Sequence, residues 1–153
     1  MSYLHAVILA IIEGITEFLP VSSTGHIIIG SSLMGISHDE FTKMFTVSVQ
    51  FGAILAVVVL YFKRFFQSVD FYLKLFVAFL PAAVFGKFLG NYVDLLLDSI
   101  LTVAIALIAG GIIFLFIDKW FAGRGEDNKS VTYRNALMIG LFQVIAMIPG
   151  VSR

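Results

Sequence analysis

The chain has 153 residues, of which 59% are hydrophobic and only 13% charged; an ordinary soluble domain has about 25% charged residues. That leaves too little polar surface to cover a water-soluble globule, and a mean hydropathy of +1.00 makes a bilayer the simplest solvent. Ten basic against ten acidic residues remove the bulk-charge case for nucleic acid, and the absence of cysteine removes disulfides and thiolate metal sites.

The N-terminus does not read as a signal peptide. No basic segment precedes the apolar run, and Glu13 and Glu17 interrupt it, so insertion is expected to use the protein's own apolar segments. Residues 3–19 predict an apolar helix ending at Pro20. After a short polar break, residues 26–33 are apolar but too short to cross a membrane, which takes roughly 20 residues. Residues 1–35 therefore predict a re-entrant hairpin. Irregular backbone at membrane depth is tolerated only where protein buries it or where it lines a wet cavity, so the break, Pro-Val-Ser-Ser-Thr-Gly, marks a candidate site.

Three spans follow within residues 41–117: 41–62, 71–90 and 99–117, the last without a charge. Lys74 and Lys87 lie near the ends of the second, where they can snorkel. Asp94 and Asp98 read as a solvated helix end, and Gln50 as a lone amide fit for an interhelical hydrogen bond. Residues 118–134 form the one long polar loop, with Trp120 and Phe121 as interfacial anchors. Lys63 and Arg64 lie two spans from Lys119, Arg124, Lys129 and Arg134, so the two groups share a side. By the positive-inside rule that side is cytoplasmic, and the hairpin opens to the outside.

Residues 135–153 begin a second repeat. At an offset of 130, Ala6 meets Ala136, Glu13 meets Gln143, Val21 meets Val151 and Ser22 meets Ser152. With the intervening spans this predicts an all-α polytopic membrane protein with re-entrant hairpins in an inverted-repeat arrangement, incomplete in its second repeat. Such repeats place broken helices together near the midplane.

Glu13 and Glu17 are four apart and share a helical face. Each ionised carboxylate at membrane centre costs about 2.5–3.5 kcal/mol on insertion scales, so the pair calls for a metal, an arginine, shared protons or a wet cavity; the plain alternative is two solvated carboxylates at an interface. Ser22 or Thr24 can be a simple N-cap, but a helix N-terminus also suits phosphate. With Ser23, His26 and the glutamates converging, a phosphate site outranks a bare cap, and His26 is a candidate nucleophile, acid or base. Arg153, in Pro-Gly-Val-Ser-Arg, is the guanidinium fork suited to phosphate oxygens.

The run EGITEFLPVSSTGH (13–26) closely resembles the first signature of the undecaprenyl-diphosphatases, also called bacitracin-resistance proteins. PGVSR (149–153) resembles the start of their second signature, and FTVSVQFGAILAVVV (45–59) resembles the segment between. The resemblance implies paired re-entrant hairpins and a site open to the outer face of the bacterial inner membrane. It implies hydrolysis of undecaprenyl pyrophosphate to the monophosphate and phosphate, as needed for peptidoglycan synthesis and bacitracin resistance. Glu13, Glu17, Ser23 and His26 match its catalytic residues, with Glu13 and Glu17 holding a divalent cation, Mg²⁺ or Ca²⁺. Whether Ser23 or His26 is the nucleophile stays open. Ser22, Thr24, Ser152 and Arg153 are the expected substrate contacts. The partners are undecaprenyl pyrophosphate and the lipid bilayer; a homo-oligomer is allowed. Family members continue with more helices, so the chain is expected to end inside the second signature and to be inactive alone. The rival readings are a lipid-phosphate transporter and an inactive fragment that associates with other membrane helices.

Overall fold

The computed structural model describes residues 1–97, 99–121 and 131–151. Among these, every regular element is helical: α1 (Tyr3–Thr16), α2 (Ser23–Leu33), α3 (Glu40–Leu60), α4 (Val69–Leu97), α5 (Ile100–Phe121) and α6 (Tyr133–Ile145), with a short 3-10 turn at Phe62–Phe65. Asp98, residues 122–130 (Arg124, Asn128 and Lys129 among them), Ser152 and Arg153 lie outside the described residues.

A capping box starts α1. The Ser2 hydroxyl accepts from the His5 N–H at 3.3 Å, and the His5 ring accepts from the Ser2 N–H at 3.4 Å. The helix stops at Thr16, not at residue 19 as the apolar run predicts. Pro20 has no N–H, and its ring clashes with the carbonyl four residues back, that of Thr16; the Leu19 N–H takes that carbonyl instead, at 3.3 Å. Helix α2 begins at Ser23, before the predicted His26, because Ser22 caps it by accepting from the Gly25 N–H at 3.2 Å. The two helices form an antiparallel hairpin. Ser23 meets Glu17 at the break, and Gly30 faces Ile12 and Leu9 farther along, where an added methyl would come within 2.9 Å of Ile12.

Three stretches are long and apolar enough to cross a membrane: Glu40–Leu60, Val69–Gly90 and Ile100–Ile117. They coincide with the three predicted spans. Helix α4 continues past Gly90 to Leu97, and α5 past Ile117 to Phe121, so part of the predicted 118–134 loop is helical. The 3-10 turn after α3 carries Lys63 and Arg64. Asp39 caps α3, accepting from the Phe41 N–H at 3.1 Å and from the Met1 ammonium at 2.8 Å. The ammonium and then the backbone N–H hold its carboxyl below the usual carboxylate range.

The burial pattern is that of a membrane protein. Among the described residues the fully buried apolar core is Leu9, Ile27, Val103 and Ala136, while Phe, Leu and Ile side chains on every spanning helix are exposed. Water would not tolerate so much contiguous apolar surface; lipid does. Trp120 is 63% exposed and its ring stacks on Phe116, as an interfacial anchor requires.

Helix α6 starts with the same kind of cap as α1, 130 residues on. Thr132 caps it by accepting from the Asn135 N–H at 3.2 Å, as Ser2 does from His5. It too ends in turns, over residues 146–150. Its main support is α4. Tyr133 donates to Asp70 at 2.7 Å, Lys74 pairs with Asp70 at 2.5 Å, and the Lys74 ammonium lies 5.5 Å from the centre of the Tyr133 ring. At mid-length Gly140 meets the α4 backbone so closely that a methyl there would fall 2.2 Å from the Ala78 carbonyl oxygen.

Gly140→Ala is therefore expected to lower stability by roughly 1–3 kcal/mol through overpacking, whereas Gly111→Ala, with open space around it, is neutral or slightly stabilising. Thermal unfolding in detergent measures both; equal melting temperatures for the two variants would contradict the close α4–α6 contact.

Candidate active site

Both helix breaks open onto one cavity of about 430 Å³. Its walls are Glu17, Leu19 and residues 21–24 from the first break, and residues 146–151 from the second. Gln50 and Ile54 of α3 and Val93 and Leu97 of α4 complete it. The meeting of the two breaks rests on two glycines. A methyl on Gly25 would lie 3.3 Å from the Gly150 Cα and 3.1 Å from Leu107 of α5. Gly150 has φ +91°, and a methyl there would lie 2.7 Å from the Val103 carbonyl oxygen. Helix α5 is thus the floor against which both breaks are held.

The glutamates share a face as predicted. Glu13 sits in the last turn of α1. Glu17, its C-cap residue, keeps helical angles (φ −64°, ψ −35°), which preserves the four-residue stagger beyond the helix end. Glu13 is 1% exposed, and neither of its carboxylate oxygens has a hydrogen-bond partner among the described residues. Glu17 accepts a hydrogen bond from the Ser23 hydroxyl.

The three consecutive hydroxyls are wired differently. Ser22 accepts from the Gly25 N–H, and Thr24 accepts from the Gln50 amide Nε2 at 2.9 Å. Ser23 donates, to Glu17. A hydroxyl has one proton and two lone pairs. Ser22 and Thr24 therefore keep their protons for an incoming acceptor, whereas Ser23 has its proton on a carboxylate and its lone pairs free. The first pair suits anion oxygens; Ser23 has the arrangement that a hydroxyl nucleophile beside a general base requires.

His26 is placed less directly. Its ring Nδ1 engages the Ser22 carbonyl at 2.8 Å, the same oxygen that its backbone N–H reaches at 3.1 Å, and it is not among the cavity walls. Gln143, which the 130-residue offset aligns with Glu13, lines a separate apolar groove between α4 and α6. Val151 reaches the cavity wall; Ser152 and Arg153, which follow it, are outside the described residues. Gln50 is an interhelical hydrogen bond, as its isolation in an apolar span predicts, but the sequence does not show that it lines the site. Val93 and Leu97 were not legible either, because they lie past the predicted end of their span.

No group of three or more His, Asp or Glu converges among the described residues. A cation here would have the Glu13 and Glu17 carboxylates and would take its other oxygens from substrate and water. That donor set fits Mg²⁺, commonly held by one or two carboxylates plus phosphate oxygens, and the orphaned Glu13 oxygens are the strongest sign of it.

A helical membrane protein with two broken segments around a carboxylate–hydroxyl cavity is the class these features define. The sequence comparisons give the family: residues 6–153 match the family described as bacitracin resistance protein BacA, and the chain belongs to it. It is 61% identical over 155 residues to an undecaprenyl-diphosphatase of Flavobacterium johnsoniae and 63% identical over 153 residues to that of Flavobacterium psychrophilum. A protein of the same name in Bdellovibrio bacteriovorus is 56% identical over 156 residues. Each alignment covers all of this chain but only 58%, 58% and 59% of the relative, so the chain spans about three fifths of the length of these curated relatives.

Gly150→Ala combines a left-handed backbone with a 2.7 Å clash, and is expected to cost roughly 2 kcal/mol or more. Gly25→Ala meets mainly the end of the flexible Leu107 side chain and should cost less. Melting temperatures of the two variants check the order; the reverse ranking would mean that α5 does not support the second break.

Proposed function

We propose that the cavity is the catalytic site for hydrolysis of undecaprenyl pyrophosphate to undecaprenyl phosphate and phosphate. The observation that carries this reading is the wiring of the hydroxyl run: Ser23 donating to Glu17 between two hydroxyls, Ser22 and Thr24, that accept. The names of the relatives supply the substrate. The Ser23 oxygen attacks the terminal phosphorus as its proton passes to Glu17, and the lipid monophosphate leaves. Water then attacks the phosphoserine phosphorus, the Ser23 Oγ–phosphorus bond breaks as Glu17 returns the proton to Ser23, and the water's spare proton is released with the phosphate. This arrangement favours Ser23 over His26 as nucleophile. His26 holds the first turn of α2 through the Ser22 carbonyl. Ser22 and Thr24 donate to the phosphate oxygens, and Ser152 and Arg153 match the substrate contacts of the family signature.

Glu13 and Glu17 would hold the divalent cation, Mg²⁺ or Ca²⁺. When bound, it supplies charge neutralisation on the phosphate oxygens. The finer architecture belongs to the same proposal: α1 and α2 form a re-entrant hairpin, and α6 with its following turns begins an inverted copy. The shared hydroxyl caps at residues 2 and 132 support this. The lysine and arginine distribution supports an inner-membrane protein with Lys63, Arg64 and residues 118–134 on the cytoplasmic side and the cavity opening outward.

Glu13→Gln and Glu17→Gln, introduced into the full-length protein, are each expected to reduce phosphate release at least about a hundredfold while leaving membrane insertion and yield intact. Phosphate release in detergent is measured beside protein yield. Near-normal turnover in both variants would remove the carboxylates from the mechanism. For orientation, Ser37→Cys should react with an impermeant thiol reagent in intact cells and Asn128→Cys should not. The opposite labelling would invert the topology.

A further inference from the structure

Four hydroxyls in the spanning and hairpin helices donate to carbonyls of their own helix: Thr16 to Ile12 at 2.6 Å, Ser31 to Ile28 at 3.0 Å, Thr46 to Thr42 at 2.9 Å and Ser48 to Met44 at 2.9 Å. This is the default for a serine or threonine in an apolar helix, since it satisfies the proton locally. Thr24 departs from it. The carbonyl four residues before it belongs to Pro20, in the break, and the hydrogen bond it makes is an accepting one, from Gln50. Gln50 is central in α3 and 26 residues away in sequence. Both side chains line the cavity.

We infer that Gln50 is a positioning residue which fixes the polarity of Thr24, turning its hydroxyl into a committed donor to the anionic ligand of the cavity. The inference rests on the phosphatase reading for its assay but not for its geometry. The amide N–H occupies one lone pair of Thr24 Oγ1. The proton is then left to a second acceptor, and a phosphate oxygen in the cavity meets that need. Thr24 is part-buried on the cavity wall, so water can take its proton when the cavity is empty, whereas an apolar occupant would leave the donor unmet; the arrangement favours an anion over a neutral apolar occupant. Gln50 also ties the first turn of α2 to α3, so the donor stays in place when the cavity is vacated. Gln50 acts through Thr24 and makes no contact with the reacting phosphorus.

The test is a double-mutant cycle in the full-length protein, using Gln50→Met, which keeps length and volume, and Thr24→Val. Two quantities are read: kinetics of phosphate release from undecaprenyl pyrophosphate, and calorimetric binding of inorganic pyrophosphate. Gln50→Met should raise KM and weaken pyrophosphate binding about tenfold with kcat little changed, as for an interaction made equally in ground and transition states. In the Thr24→Val background the same change should cost less than about twofold. Thr24→Ser should retain binding. Gln50→Glu, which presents an acceptor to Thr24 and captures its proton, should bind at least as poorly as Gln50→Met. Wild-type protein that binds pyrophosphate without turning over the lipid, with the cycle coupled in binding, would sink the enzymatic reading and leave this inference standing. Full additivity of the two changes, normal affinity in Gln50→Glu, a Gln50→Met variant with lowered melting temperature but normal KM and affinity, or wild-type protein that binds no pyrophosphate would each overturn it.

Discussion

Pro20 is the constraint on which the site depends. Without an N–H and with its ring against the Thr16 carbonyl, it ends α1 in the middle of an apolar run. The chain must then reverse within six residues, and the polar groups freed by the break have to be satisfied away from lipid. Ser22 takes the Gly25 N–H, Ser23 reaches back to Glu17 and Thr24 reaches across to Gln50. A straight helix through this point would send Glu17 and Ser23 to different turns of one rod. The break brings them side by side. The chemistry of the cavity is thus a by-product of repairing an interrupted helix.

The second constraint is closeness. Gly25, Gly140 and Gly150 each stand where a methyl would press on a neighbour, and at Gly140 and Gly150 that neighbour is backbone. In lipid there is no hydrophobic drive to push helices together, and close backbone approach through small residues supplies the association instead. The α4–α6 contact at Gly140 carries the second break toward the first, and the Gly150 contact with α5 fixes where it stops. The ion pair of Lys74 with Asp70 and the Tyr133 bond mark the other end of the same helix pair.

Much of this was legible in the sequence, for physical reasons that differ by element. The three spans follow from uninterrupted apolar length, and their positions agree with α3, α4 and α5. The Glu13–Glu17 face follows from helical periodicity and survived the early end of α1 because Glu17 kept helical angles. The apolar run extends to residue 19, but the helix ends at Thr16 because the Pro20 ring reaches the carbonyl four residues earlier, which hydropathy does not register. Helix α2 starts three residues before the apolar segment because Ser22 caps it, and apolar length does not show a cap. The Gln50–Thr24 bond joins residues 26 apart, and no local rule pairs them. The direction of each hydroxyl's bond is likewise a tertiary fact: Ser22, Ser23 and Thr24 look alike in the sequence and differ only in what surrounds them.

The location of Gln50 sets a depth. It is the central residue of the 21-residue helix α3, so at a rise of about 1.5 Å per residue it stands roughly 15 Å from either end. A hydrocarbon core is about 30 Å thick. With α3 crossing from face to face, Thr24 lies near the median plane of the membrane, far below the layer in which phospholipid headgroups reside. A charged headgroup reaching Thr24 has to sink by about half the thickness of the core while the greasy chain attached to it stays in the surrounding leaflet. On the proposed function, turnover would include a vertical displacement of charge.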